Sequence, residues 1–283
     1  MTEKYDAIVV GAGHNGLTNA AYLAKAGLKV IVLERNGYIG GAAVSRELYP
    51  NWKYTNCSYV CSLLRPEIIR DLRLPSHGLQ VVPYGGGVTF MQNGDYFGNH
   101  TDHERHRREL ARHSKRDADA YHRYEADVMK QTRIIRPFLM RTPPDPTSFK
   151  PRNIRELIAM AKAFSGMGEV GLADTMRFWT MSIGDFLEEY FESDVVKAHL
   201  AGSGIIGTAL GVYSPGTAYV LLHHYMGDVD GSIGSWGLAR GGMGAVSNAL
   251  AGAFKSFGGT VQCDAEVAQI IVKNGKAAGV ALT

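Results

Sequence analysis

Residues 8–16 read Ile-Val-Val-Gly-Ala-Gly-His-Asn-Gly, a β-branched run that ends in three glycines spaced G-x-G-x-x-G. Tyr5 to Val10 is predicted to be a short buried strand, because Ile8, Val9 and Val10 suit a pleated surface and a glycine turn stops them. Gly13 to Ala26 then places Leu17, Ala20, Ala21 and Ala24 at helical spacing, and Gly27 follows, as in an amphipathic helix closed by glycine. Lys29 to Glu34 supplies a second strand, Val-Ile-Val-Leu between charges. Together these elements predict a β-α-β unit with parallel strands and a right-handed crossover.

In that setting the glycines have separate tasks. Gly11 permits the tight turn, Gly13 lets backbone approach a pyrophosphate, and Gly16 lets helix and strand pack closely. The start of the helix, including His14 and Asn15, turns unpaired N–H groups and a positive dipole end toward phosphates. Glu34 ends the second strand, where a carboxylate binds an adenosine ribose hydroxyl and disfavours a 2′-phosphate. A G-x-G-x-x-G alone is a weak signal, but here the strand, the helix and the acid agree with it. FAD and NAD share this arrangement, so the choice between them falls on Gly40-Gly41, six residues past Glu34.

The stretches GAGHNGL and VLERNGYIGGAAVSRE resemble the start of the phytoene-desaturase and amine-oxidase superfamily of FAD flavoproteins. YTNCSYVCSLLRPEIIRDL, TAYVLLHHYMG and GSWGLARGGMGAVSNAL are similar to one carotenoid-desaturase-like branch, the pyridine nucleotide-disulphide oxidoreductase domain-containing protein 2 group. The resemblance implies FAD as cofactor, with Gly11, Gly13, Gly16, Glu34, Arg35, Gly40 and Gly41 against it. It implies that the backbone of Val267 meets the adenine, although Val267 also reads as strand core. It further implies an oxidoreductase of the dehydrogenase or desaturase kind, passing hydride from an apolar or amphipathic small molecule to flavin N5. Chains of that kind continue past the point matching Thr283, so residues 1–283 are expected to be an N-terminal portion that holds flavin poorly alone. Two rival readings accompany this one. One is a flavin amine oxidase; the other is a non-catalytic interaction protein on a flavoprotein scaffold, which would be expected to have lost fingerprint glycines or Glu34. A nicotinamide-dependent reductase is disfavoured by Gly40-Gly41 and by the long helical insertion.

Further along, Tyr84 to Asn99 is glycine-rich and β-like, with a hairpin turn at Asn93-Gly94. Residues 100–140 are charged and helical, and a proline-rich break follows at 142–146. Residues 152–226 read as mainly helical, with Ser182 and Ser193 as N-caps. After Gly241-Gly242 an amphipathic helix runs to Phe257, then a strand over 260–263 and a hairpin turning at Asn274-Gly275. The expected architecture is α/β: a discontinuous Rossmann-type FAD-binding domain with a β-meander, over 1–85 and 241–283, and an inserted, mainly helical substrate domain over 86–240.

The 45% hydrophobic and 20% charged residues are those of a globular chain. A net charge of +3 argues against a nucleic-acid partner. Three cysteines are too few for a disulfide framework and suit a reducing compartment. With no apolar or Arg-rich leader before the first strand, a cytoplasmic location is expected, or the mitochondrial matrix in a eukaryote. Cys57 and Cys61 sit in a Tyr/Val/Leu-rich stretch and are predicted to be buried small hydrophobes rather than a redox pair. His103 and His106 have i, i+3 spacing, but their segment alternates charges as a solvated helix does, so no metal site is expected. The same segment allows peripheral contact with an anionic membrane. Catalytic residues are not legible. His223 and His224 lie on an apolar helix where at most one faces a pocket, and Arg240, directly before Gly241-Gly242, could set a cation near a flavin or an acidic substrate.

Overall fold

A computed structural model describes residues 3–283. The chain divides into two compact units, residues 1–84 with 227–283, and residues 85–226. The first begins with β1 (Ala7–Val10), α1 (His14–Lys25) and β2 (Val30–Leu33). The hairpin β3 (Ser45–Tyr49) and β4 (Trp52–Thr55), α2 (Pro66–Asp71) and β5 (Val81–Pro83) follow. The second unit holds the hairpin β6 (Gly86–Phe90) and β7 (Tyr96–His100), then seven helices. These are α3 (His103–His113), α4 (Lys115–Ile135), α5 (Pro151–Ser165), α6 (Gly168–Thr180), α7 (Ile183–Glu188), α8 (Asp194–Ile205) and α9 (Thr217–Tyr225). The chain then returns to the first unit through β8 (Asp228–Val229), β9 (Ser232–Ile233), β10 (Gly237–Ala239) and α10 (Gly244–Ser256). It finishes with β11 (Thr260–Gln262), β12 (Val267–Lys273) and β13 (Lys276–Leu282).

The first unit is built on a parallel sheet in which β2 lies between β1 and β11. Ile8 pairs with Ile31, and Val32 pairs with both Val9 and Val261. Every β2 residue is buried, as a central parallel strand requires. Leu17, Ala20, Ala21 and Ala24 of α1 pack into one core with Val30, Val32, Leu250, Ala253 and Phe254. The small α1 residues and the small face of α10 bring these helices close to each other. A second cluster joins Ile31, Leu33 and Ala265 to Tyr5, Ile8, Val267 and Val280. β12 and β13 form an antiparallel hairpin, turning through Asn274 (φ 52°) and Gly275 (φ 74°), the left-handed pair of a type I′ turn.

The expected boundary after residue 240 is corrected by a long-range pairing. β10 runs antiparallel to β5, with Leu238 opposite Val82, so residues 227–240 belong to the first unit. Local sequence pattern carries no trace of a partner that distant. The β3–β4 hairpin is likewise silent in the sequence, because its residues are mostly exposed and show no buried alternation. Ser182 caps α7 by accepting from the Asp185 N–H. Ser193 occupies the N-cap of α8 without a side-chain cap bond. There the buried Asp117 accepts from the Glu192 and Ser193 N–H groups, both at 2.9 Å.

Candidate dinucleotide-binding site

The glycine turn bends because Gly11 takes φ 96°, a value open to glycine and strained for other residues. A Cβ on Gly16 would lie 2.3 Å from the Gly11 carbonyl oxygen and 3.4 Å from Val9 Cγ1. That glycine is fixed by the packing of α1 on β1. Gly13 differs. A Cβ there would meet only Gly41 Cα, at 3.9 Å, so the space over Gly13 is open. Gly13 is also the N-cap of α1, which has neither a side-chain cap nor an acidic residue in its first turn. The leading N–H groups of a helix have no partner within it, and here the turn presents them beside the open space. Nδ1 of His14, in that turn, is buried with no hydrogen-bond partner among the described residues.

Gly40-Gly41 lies directly against this turn. The Gly40 N–H donates to the Ala12 carbonyl at 2.9 Å, and Gly13 and Gly40 form an isolated parallel bridge. Gly40 is buried, has φ 125°, and a Cβ on it would sit 2.6 Å from the Ala43 oxygen. The fold itself therefore demands that glycine. Gly41 is exposed, and a Cβ there would press on Gly13 Cα at 3.1 Å. The N-terminus of α10 closes the back of the loop: the Gly244 N–H donates to Ser45 Oγ, and Ser247 Oγ donates to the Ala43 carbonyl at 2.8 Å.

Glu34 is 7% exposed. Its Oε2 accepts from the Ala12 N–H at 2.8 Å. Its Oε1 accepts from the Asn36 N–H at 2.9 Å and from Asn36 Nδ2 at 2.8 Å. Burial alone pushes this carboxyl up, but the three donors, with the nearby Arg35 charge, outweigh it and hold the acid below the ordinary carboxylate range. Arg35 is exposed. Val267 packs its side chain against the Ile31–Leu33 cluster, and the connection to it is tied to the acid: the Ala265 N–H donates to the Glu34 carbonyl and the Asp264 N–H to the Asn36 carbonyl.

The fingerprint residues, from Gly11 to Val267, thus all belong to the first unit. The weaker catalytic candidates are not gathered in one unit. His223 is exposed and His224 half-buried on α9 of the second unit; burial, then the neighbouring His223, lowers the His224 pKa. Arg240 belongs to the first unit, exposed, and donates to Gln80 Oε1 at 3.1 Å. Cys61 is buried, with its thiol pushed up by burial, while Cys57 is exposed, against the expectation for that residue. A cavity of about 510 Å³ bounded by Cys61, Leu64, Ile69, Leu79 and Val229 contains no fingerprint residue. Among the described residues, no helix is long and apolar enough to cross a membrane.

The residues present fit the diphosphate and ribose of a dinucleotide: an open backbone cradle, an uncapped helix end and a buried ionised acid. Sequence reasoning found these groups but missed Asn36, whose signal was an amide two residues after the acid.

Comparison with known proteins agrees. The NAD(P)-binding Rossmann-like domain family matches residues 9–67. Pyridine nucleotide-disulfide oxidoreductase domain-containing protein 2 of Mus musculus is 36% identical over 299 aligned residues, 100% of this chain and 51% of that protein. A limonene dehydrogenase chain of Castellaniella defragrans is 36% identical over 121 residues, 42% of this chain and 22% of that protein. A triple mutant of putrescine oxidase shares the fold with a TM-score of 0.55 at 19% identity, over 93% of this chain and 51% of that one. The chain spans about half the length of the curated relatives it matches along its whole sequence. With a Rossmann-type fold, the chain is similar along its full length to pyridine nucleotide-disulfide oxidoreductase domain-containing protein 2 of Mus musculus and of Rattus norvegicus.

Proposed function

We propose that this chain binds FAD and forms the cofactor-holding part of an FAD-dependent oxidoreductase of the dehydrogenase or desaturase kind. The observation that carries the reading is the open space over Gly13, faced by the uncapped start of α1 and by exposed Gly41. The pyrophosphate lies on that turn, where the helix end offers N–H donors and no side chain intrudes. Gly41, pressed against Gly13, adds a second stretch of bare backbone beside the phosphates, and this favours FAD over a nicotinamide dinucleotide. Glu34, held ionised by its donors, accepts from the adenosine ribose, and Val267 lies on the adenine side.

Bound flavin supplies hydride acceptance at N5. The residues of this chain bind and orient the cofactor, and none of them is assigned a proton-transfer step. The substrate is an apolar or amphipathic small molecule, a reading supported by similarity to a limonene dehydrogenase chain. The visible spectrum of the natively purified full-length protein, with mass spectrometry of the released cofactor, tests the proposal. Flavin bands and a mass of FAD are expected. Release of a nicotinamide dinucleotide with no flavin would overturn it.

A further inference from the structure

Glu34 does not hold its place alone. An unassisted glutamate at a strand end has three rotatable bonds, and burial penalises its charge. Here Asn36 supplies two of the three donors to the carboxylate, both to Oε1, through its backbone N–H and its side-chain Nδ2. With Oε1 so engaged, Oε2 is turned to the glycine loop and meets the Ala12 N–H. A carboxylate oxygen accepts at two lone-pair sites, so Oε2 keeps one acceptor site beyond Ala12. The same residue reaches in a second direction. Its carbonyl accepts from the Asp264 N–H at 3.2 Å, in a turn where Asp264 has φ 51° and where a Cβ on Gly37 would come within 3.3 Å of Asp264 Oδ1. That turn leads through Ala265 into Val267.

We infer that Asn36 is the positioning residue of the adenosine half-site, fixing the Glu34 carboxylate toward the ribose and fastening the β11–β12 turn that leads to Val267. The inference rests on the dinucleotide reading above. It assigns separable tasks to two parts of one residue: the side-chain amide aims and ionises the acid, and the backbone carbonyl ties the turn. A side-chain substitution therefore removes the first task and leaves the second intact, so the fold is retained.

The sign of the pH effect follows. Glu34 is held below its ordinary pKa by these donors, so in the wild-type protein it stays ionised through mildly acidic conditions. Removing the amide donor raises the pKa, and the acid protonates as pH falls toward the ordinary carboxylate range. Arg35 and Asp264 are the other charged side chains beside this segment, and Cys263 faces the same acid.

The test uses the full chain and the variants Asn36→Ala, Asn36→Ser and Asn36→Asp. The Glu34 carboxyl is titrated in the cofactor-free protein by carbon-13 NMR, and the FAD dissociation constant is measured between pH 4.5 and 8 by flavin fluorescence. In Asn36→Ala the Glu34 pKa should rise, and FAD affinity should fall about tenfold at pH 5 and less at pH 7, in keeping with one lost hydrogen bond to a charged group. Asn36→Ser restores a short donor and should recover part of both effects. Asn36→Asp sets a second carboxylate against Glu34 and should cost about tenfold or more even at pH 7. A Glu34 titration and a pH profile that all three substitutions leave unchanged would overturn the assignment. Failure of the wild-type protein to bind FAD at any pH would instead overturn the functional reading beneath it, and shows in the wild type rather than between variants.

Discussion

Two glycines three residues apart in the same turn should respond to alanine with opposite signs. Gly13 has φ −69° and ψ 165°, an extended conformation that alanine adopts freely, and its Cβ would meet nothing nearer than 3.9 Å. Replacing such a glycine reduces the freedom of the unfolded chain and stabilises by about 0.4–1 kcal/mol. For a chain of this size that corresponds to roughly 1–4 °C in melting temperature. The Cβ fills the space where a pyrophosphate would touch backbone, so the same variant should lose flavin. Gly16→Ala drives a methyl to 2.3 Å from a carbonyl oxygen, about 1 Å inside ordinary contact. Relieving it moves α1 against the sheet at a cost of about 1–3 kcal/mol, a fall of several degrees. The assay is thermal unfolding of both cofactor-free variants beside the wild type, repeated with excess FAD. Added FAD should raise the wild-type midpoint, leave Gly13→Ala unmoved and raise Gly16→Ala from its lower start. Wild-type flavin affinity in Gly13→Ala would show that the phosphates do not lie on this turn, and a lowered cofactor-free midpoint would refute the claim that the space is open.

Glu34→Gln should harm the cofactor-free fold as well as binding, since an amide NH₂ must face either Ala12 or Asn36, both donors; a loss of about 1–3 kcal/mol is expected in urea unfolding. Acid should weaken the helical unit through His106, which is 5% exposed and pushed down to about 4 by burial and then by His199, His100 and His103. Its folded pKa lies below its ordinary 6.5, so its contribution is full above that value and declines as pH falls toward 4; His106→Phe should flatten unfolding midpoints across this window. Ser182→Ala removes the acceptor for the Asp185 N–H at 3.0 Å and should cost about 1 kcal/mol. Ser193→Ala should be nearly neutral in the same denaturation, because Asp117 is bonded to the Ser193 backbone N–H rather than to its hydroxyl.

The parts of this molecule that were legible in its sequence are those whose cause is local. Leu17, Ala20, Ala21 and Ala24 show their helical period within a dozen residues, and all four are buried. Asn274-Gly275 announces its hairpin by the backbone angles it permits. What escaped depends on partners far along the chain. The pairing of β5 with β10 assigns residues 227–240 to the first unit, and neither strand is long enough to show a pattern. At the candidate site the glycines and Glu34 were visible as types in a known spacing. The division of work between Gly13, which faces open space, and Gly40, which the fold itself requires, became visible only when neighbouring atoms were in place. Asn36 was hidden for another reason: an exposed asparagine after a strand resembles any turn residue until its amide is seen to have a buried carboxylate as its target.

The order of strands in the parallel sheet bears on how the chain is made. β2 ends at Leu33, yet its second neighbour does not begin until Thr260. A ribosome adding about 5–20 residues per second needs roughly ten to forty-five seconds to bridge that interval. For that time one edge of β2 lacks its partner, an edge rich in valine and isoleucine that other nascent strands could join. The helical residues 85–226 emerge meanwhile and can fold from local contacts, which form quickly. Once they do, the short β8–β9 hairpin and then β10 emerge, and the antiparallel pairing of β10 with β5 sets Pro83 beside Gly237 and closes the loop that holds the insertion. That pairing leaves twenty residues, 240–259, between β10 and β11, so β11 reaches its edge by closing a shorter loop than a disordered chain of the same length would close.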